Sequence, residues 1–149
     1  MKYNILWLED DAFLVNSIRG RLQEIYSVKV EQSPARAEKE LKDGQYHLVI
    51  IDLIIAIHPE DIKLGYTPEA TEKGTRTGLA FYERNRELLR KKEIQVLVYT
   101  KLGEASPAKK QFVDLGLKEQ CFITQRSYKD VDYLLKQIDK FLTGVNKTG

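Results

Sequence analysis

The sequence predicts an α/β domain: a doubly wound parallel sheet of five strands, each followed by a helix, (βα)₅. Three observations point there. Ile5–Leu8, Val28–Val30, His47–Ile55, Gln95–Thr100 and Cys121–Thr124 are short runs rich in aliphatic or β-branched residues. The first, third and fourth are nearly continuous, as strands covered on both faces should be. Between the runs the spacing turns helical: Leu14, Ile18, Leu22 and Ile25 share one face, as do Leu79, Tyr82, Arg86 and Leu89, with the stem of Arg86 covering apolar surface. Val131, Leu134, Leu135, Ile138, Phe141 and Leu142 form the clearest stripe. Punctuation is the third observation. Ser33-Pro34 and Ser106-Pro107 each place an N-cap hydroxyl before a first-turn proline, Gly44 and Gly116 stand where helices two and four should stop, and Ser127 or Asp130 can open the last helix.

One stretch breaks the alternation. From Ala56 to Thr77 the chain carries His58-Pro59, Gly65, Thr67-Pro68 and Gly74 without sustained periodicity, and is expected to be a long irregular connection, a short helix near Glu60–Leu64 being the less favoured alternative. The length of 149 residues suits a single domain, here residues 1–142, with a flexible tail over 143–149.

Composition narrows the function classes. The apolar fraction of 42% and charged fraction of 31% are those of a globular protein. A net charge of +2, from 24 basic and 22 acidic side chains, makes no electrostatic case for direct nucleic-acid binding. The single cysteine, Cys121, excludes an internal disulfide, and one Cys with two His argues against structural zinc. The most apolar run, Leu48–Ile57, is interrupted by Asp52 and too short to cross a bilayer. With no signal-peptide pattern after Met1, a cytoplasmic, non-membrane protein is expected.

The chemistry gathers on carboxylates. In open parallel sheets ligands bind beyond the carboxyl ends of the strands, where the strand order reverses. Glu9-Asp10-Asp11 follows strand one and Asp52 falls late in strand three. With the order 2-1-3-4-5 those two strands are neighbours and their carboxylates meet. Such a cluster repels itself and suits a hard cation such as Mg²⁺. The acidic triplet alone reads better as a solvated cap of helix one. Asp52 is more telling, because a carboxylate inside an aliphatic run is costly unless paired or metal-bound.

These residues resemble the receiver domain of two-component response regulators. Ile5-Leu6-Trp7-Leu8-Glu9-Asp10-Asp11 is similar to its first strand and acidic pair, Tyr46–Leu53 to its third strand, Val96–Thr100 to its fourth, and Phe122 stands at the aromatic position of strand five. The resemblance covers about Lys2 to Leu142 and implies a flavodoxin-like sheet of order 2-1-3-4-5. It implies a signalling module rather than an enzyme. Asp52 would be the phospho-acceptor, Mg²⁺ would be held by Asp10, Asp52, the Ile54 carbonyl and, through water, Glu9, and Thr100 and Phe122 would form the switch. The implied partners are a cognate sensor histidine kinase or phosphotransfer protein and an unknown downstream effector. The family also dimerises through helix four, strand five and helix five, although helix four here is short.

Two departures stand out. The family carries a lysine after strand five, where Gln125 stands here, followed by Arg126. Gln125, Arg126 and Lys101 are the candidates for contacting the phosphoryl group. The second departure is the 56–77 connection, which could cover the pocket, order on phosphorylation or contact a kinase; His58 within it invites a ligand or phosphodonor role, though a lone loop histidine is more often neither. Apolar residues at Ile54 and Leu102 suggest slow loss of phosphate. Two other readings are a pseudo-receiver that docks a partner without phosphorylation and a Mg²⁺-dependent phosphohydrolase. The phosphohydrolase is disfavoured because Ile54 replaces the second carboxylate those enzymes use.

Overall fold

In the computed structural model, which describes residues 2–101, 106–125 and 131–144, five parallel strands lie in the order β2-β1-β3-β4-β5. They are β1 (Asn4–Leu8), β2 (Ser27–Glu31), β3 (Leu48–Ile51), β4 (Gln95–Thr100) and β5 (Phe122–Thr124). The helices are α1 (Ala12–Ile25), α2 (Pro34–Asp43), α3 (Pro59–Leu64), α4 (Pro68–Thr71), α5 (Thr77–Lys91), α6 (Pro107–Asp114) and α7 (Val131–Asp139). Right-handed crossovers on a sheet whose order reverses at β1/β3 send α1 to one face and α2, α5 and α6 to the other. The contacts agree: α2 packs on α5 and α5 on α6, while Arg21 of α1 pairs with Asp132 of α7. Ile5–Leu8 and Leu48–Ile51 are wholly buried, and they set the two acid-bearing strand ends side by side, with Leu8 opposite Ile51.

The expected punctuation is present. Ser33 Oγ accepts from Arg36 N–H and Ser106 Oγ from Ala108 N–H, each ahead of a first-turn proline. Gly44 ends α2 in extended backbone, and Gly116, at φ 109°, follows the end of α6. The last helix continues as a wide turn over Lys140–Gly144, burying Phe141 and Leu142. Its proposed caps, Ser127 and Asp130, lie outside the described residues.

Three expectations need correction. First, the third strand ends at Ile51, not Ile55. Asp52 N–H still reaches the Leu8 carbonyl at 3.1 Å, but Leu53 and Ile55 are buried as loop residues, tied to the returning chain by Gly78 N–H to Leu53 O (2.9 Å) and Ile55 N–H to Gly74 O (3.1 Å). An aliphatic run buried on all sides carries no periodic mark of where the ladder stops. Second, α5 buries Thr77, Gly78, Phe81, Tyr82, Asn85 and Leu89, so its inner face is rotated from the expected stripe. Arg86 is exposed and its Nη1 donates to the Leu115 carbonyl at 2.9 Å. Asn85 goes inside because Nδ2 donates to the Phe81 carbonyl (3.0 Å) and the Tyr66 hydroxyl (3.1 Å), partners no local pattern announces.

Third, the 56–77 connection is not irregular. It forms α3 and α4, docked on α2 and α5. Asp61, with no exposed surface, accepts from Ser33 Oγ (2.6 Å) and Ala35 N–H (3.0 Å) at the start of α2, and from His58 N–H (2.8 Å). Buried Tyr66 donates to Glu38 Oε1 at 3.1 Å, which also accepts from Arg84 Nε at 2.7 Å. Burial alone would raise the Glu38 carboxyl, but Arg84 and Tyr66 hold it below its usual value. The segment is therefore a fastened part of the fold. Asp61→Ala leaves Ser33, Ala35 and His58 donors without their acceptor and is expected to cost ~2–4 kcal/mol in urea unfolding, with proteolysis appearing first between residues 56 and 76. Wild-type stability and an unchanged cleavage pattern would contradict the latch.

Candidate metal and phosphoryl site

Each acid reaches the pocket from the end of a strand. Glu9 continues β1, its N–H donating to the Glu31 carbonyl at 3.0 Å, and the residue is 1% exposed. Glu9 Oε2 accepts from the N–H groups of Asp10 (3.0 Å) and Asp11 (3.1 Å). Asp10 Oδ2 accepts from Ala56 N–H at 2.9 Å, so the first residue of the long connection orients a pocket acid. Asp52 Oδ1 accepts from Leu53 N–H at 2.8 Å, and buried Thr100, at the end of β4, lines the same pocket.

One carboxylate oxygen from each of Glu9, Asp10 and Asp52 lies within 4.8 Å of the others. The pocket holds about 210 Å³ and is lined by Glu9, Asp10, Asp11, Asp52, Ile54, Thr100, Lys101 and Gln125. Burial chiefly, then the Asp52 charge, pushes the Glu9 carboxyl up to about 9, against the pull of Asp11 N–H. Burial also pushes Asp52 up, while bonds from Glu9, Thr100 and Leu53 oppose it. A proton shared between two carboxyls is what such a pair adopts when no cation is present. Hard oxygen donors at this spacing, with unrelieved negative charge, fit a small divalent cation such as Mg²⁺.

Asp11 stands apart, as its capping role predicts. Oδ1 accepts from Phe13 N–H (3.1 Å) and Leu14 N–H (3.2 Å) at the start of α1, and Oδ2 takes the Lys101 ammonium at 3.1 Å. Gln125 follows β5 and lines the pocket, its N–H donating to the Thr100 carbonyl at 2.6 Å. Arg126 and Leu102 lie outside the described residues. Phe122 pairs with Val98 in the β4–β5 register and is buried, its ring 6.0 Å from that of Phe112. His58 caps α3 and does not line the pocket.

Three contributors were not singled out from sequence: the Ala56 N–H, the Lys101–Asp11 pair and Gly78. A Cβ on Gly78 would lie 2.1 Å from the Asp52 carbonyl oxygen, so α5 begins hard against the backbone of the pocket acid. The only local sign was a Thr-Gly pair opening the periodic stretch. Among the described residues, no helix is long and apolar enough to cross a membrane.

No family model and no curated protein sequence matches the chain. Solved structures do. A CheY-like response regulator receiver domain protein from Methanospirillum hungatei JF-1 superposes with a TM-score of 0.74 at 15% identity, covering 100% of both chains. The Francisella response regulator 1452 receiver domain gives 0.69 at 15% identity over 99% of this chain and 100% of that one. A BeF3-activated receiver domain, DrrB of Thermotoga maritima, gives 0.68 at 17% identity over 95% and 98%.

Proposed function

We propose that this chain, which has the flavodoxin-like receiver fold of two-component response regulators, accepts a phosphoryl group on Asp52 in a Mg²⁺-dependent reaction and acts as a conformational switch. The observation that carries this reading is the convergence of Glu9, Asp10 and Asp52 in one pocket that Thr100 also lines.

Asp10 and Asp52 would hold Mg²⁺ directly, with the Ile54 carbonyl as a further ligand and Glu9 acting through water. When bound, the ion offsets charge on the phosphoryl oxygens. The residues do the rest. An Asp52 oxygen attacks phosphorus and forms a mixed anhydride, and the donor leaves with the bonding pair. Leu53 N–H keeps the other Asp52 oxygen oriented, and Ala56 N–H does the same for Asp10. Thr100 then donates its hydroxyl to the new phosphoryl oxygen, and Phe122 shifts with it against Phe112. The donor partner is a sensor histidine kinase or a phosphotransfer protein, and the effector reads the altered surface.

A second reading has its own support. Gln125 brings no charge to the position where the family places lysine, and Lys101 is engaged by Asp11. A pseudo-receiver would dock its partner through the same fold without modification. One experiment separates them. Incubated with Mg²⁺ and acetyl phosphate, the protein is expected to gain the mass of one phosphoryl group, lost in Asp52→Asn and on adding chelator. A folded protein that gains no mass at saturating donor leaves only the docking module.

A further inference from the structure

The described lining of the acidic pocket contains one cationic side chain, Lys101. It directly follows Thr100, and its ammonium lies 3.1 Å from Asp11 Oδ2. The pair is largely open to solvent, at 69% and 35% side-chain exposure, and such pairs hold two flexible side chains only weakly. Asp11 divides its work between two oxygens. Oδ1 caps α1, and Oδ2 takes the lysine. The ammonium can therefore leave without uncapping the helix.

We propose that Lys101 is the cation that neutralises the phosphoryl group on Asp52, held on Asp11 in the resting protein and drawn to a phosphoryl oxygen as Asp52 is modified. This inference rests on the phosphoryl-acceptor reading given above. A phosphoryl group arriving on Asp52 adds negative charge beside Glu9 and Asp10. Gln125 supplies a hydrogen-bond donor there but no charge to balance it. The ammonium already senses Glu9 and Asp52, after Asp11, in its raised affinity for its proton. Exchanging one half-exposed carboxylate for a more highly charged phosphoryl group is electrostatically downhill, and the four-carbon stem gives the ammonium freedom to turn. With acetyl phosphate the step is balanced without proton transfer. The Asp52 oxygen–phosphorus bond forms, the bond from phosphorus to the acetyl oxygen breaks, its electron pair leaves with acetate, and Lys101 donates one N–H to a non-bridging oxygen. Asp11 becomes a brake as well as a cap, because it competes for the cation.

The test measures phosphoryl uptake from acetyl phosphate with Mg²⁺ by intact mass, and melting of every variant. Lys101→Gln is expected to slow uptake roughly tenfold and Lys101→Arg to recover part of the loss. Asp11→Asn keeps an oxygen for the cap but loses the charge, so melting stays near wild type while uptake rises about two- to fivefold. In the Lys101→Gln background the same Asp11→Asn change should accelerate nothing. Equal acceleration in both backgrounds would mark a general loss of negative charge and overturn the proposal, as would Lys101→Gln taking up phosphate at the wild-type rate. A wild-type protein that takes up none overturns the acceptor reading itself, an outcome distinct from uptake indifferent to Lys101.

Discussion

Gly78→Ala is expected to destabilise the fold by ~3 kcal/mol or more and to weaken Mg²⁺ binding at the same time. The added Cβ would sit 2.1 Å from the Asp52 carbonyl oxygen, 2.9 Å from its carbon and 2.9 Å from Ile51 Cγ2. Two of those neighbours are backbone, so no side-chain rotation relieves the overlap. The start of α5 is also pinned, because Gly78 N–H donates to the Leu53 carbonyl at 2.9 Å and Thr77 Oγ1 to the Ile55 carbonyl at 2.6 Å. Relief requires the helix to back away from β3, and Asp52 moves with the strand end. Urea unfolding with a parallel Mg²⁺ titration measures both effects. Gly20, in α1 with nothing within 4 Å of a built Cβ, is the control: Gly20→Ala should stabilise by up to ~1 kcal/mol through helix propensity. If the two substitutions have similar effects, the close approach of α5 to Asp52 is wrong.

The second large effect is a pH dependence that reverses when a cation is supplied. Glu9 binds its proton more tightly in the folded protein than in the unfolded chain, because burial and Asp52 oppose its charge. Stability without metal is then fully present at low pH. It falls as pH rises from the ordinary carboxylate value of 4.5 towards about 9, since the folded state retains a proton the unfolded state has released. Asp52, raised by the same burial, adds to the slope in the lower part of that window. The loss should amount to several kcal/mol over the whole window. Mg²⁺ must displace the shared proton, so its stabilising effect grows over the same range. Melting temperatures with chelator and with Mg²⁺, across pH, give the comparison. Glu9→Gln should flatten the chelator curve while leaving the fold intact. A metal-free protein whose melting temperature is level or rising across this window would contradict the assigned pocket.

Much of the architecture was legible because it follows from local rules. Solid apolar runs over Ile5–Leu8 and Leu48–Ile51 mark strands covered on both faces, and all four residues of each are buried. Ser-Pro pairs marked the starts of α2 and α6, and both serines cap as their chemistry requires. The acids were legible for an energetic reason. Asp52 in an aliphatic run needs a purpose, and strand order alone carries it to Glu9 and Asp10.

What local pattern missed depends on residues distant in sequence. Asn85 faces inward because Tyr66 waits there, and the 56–77 connection folds into α3 and α4 because Asp61 finds Ser33 and Ala35. Short helices carry too little periodicity to be seen, and a buried carboxylate looks like any surface acid until its donors are in place. Sequence by itself determined the sheet, its acidic strand ends and the position of Thr100 beside them. Only the tertiary structure decided that Glu9 and Asp52 are buried together, that Asp11 shares itself between a helix and Lys101, and how closely α5 presses on Asp52. Those depend on burial and on distances of a few ångströms between chain segments, which the order of residues does not state.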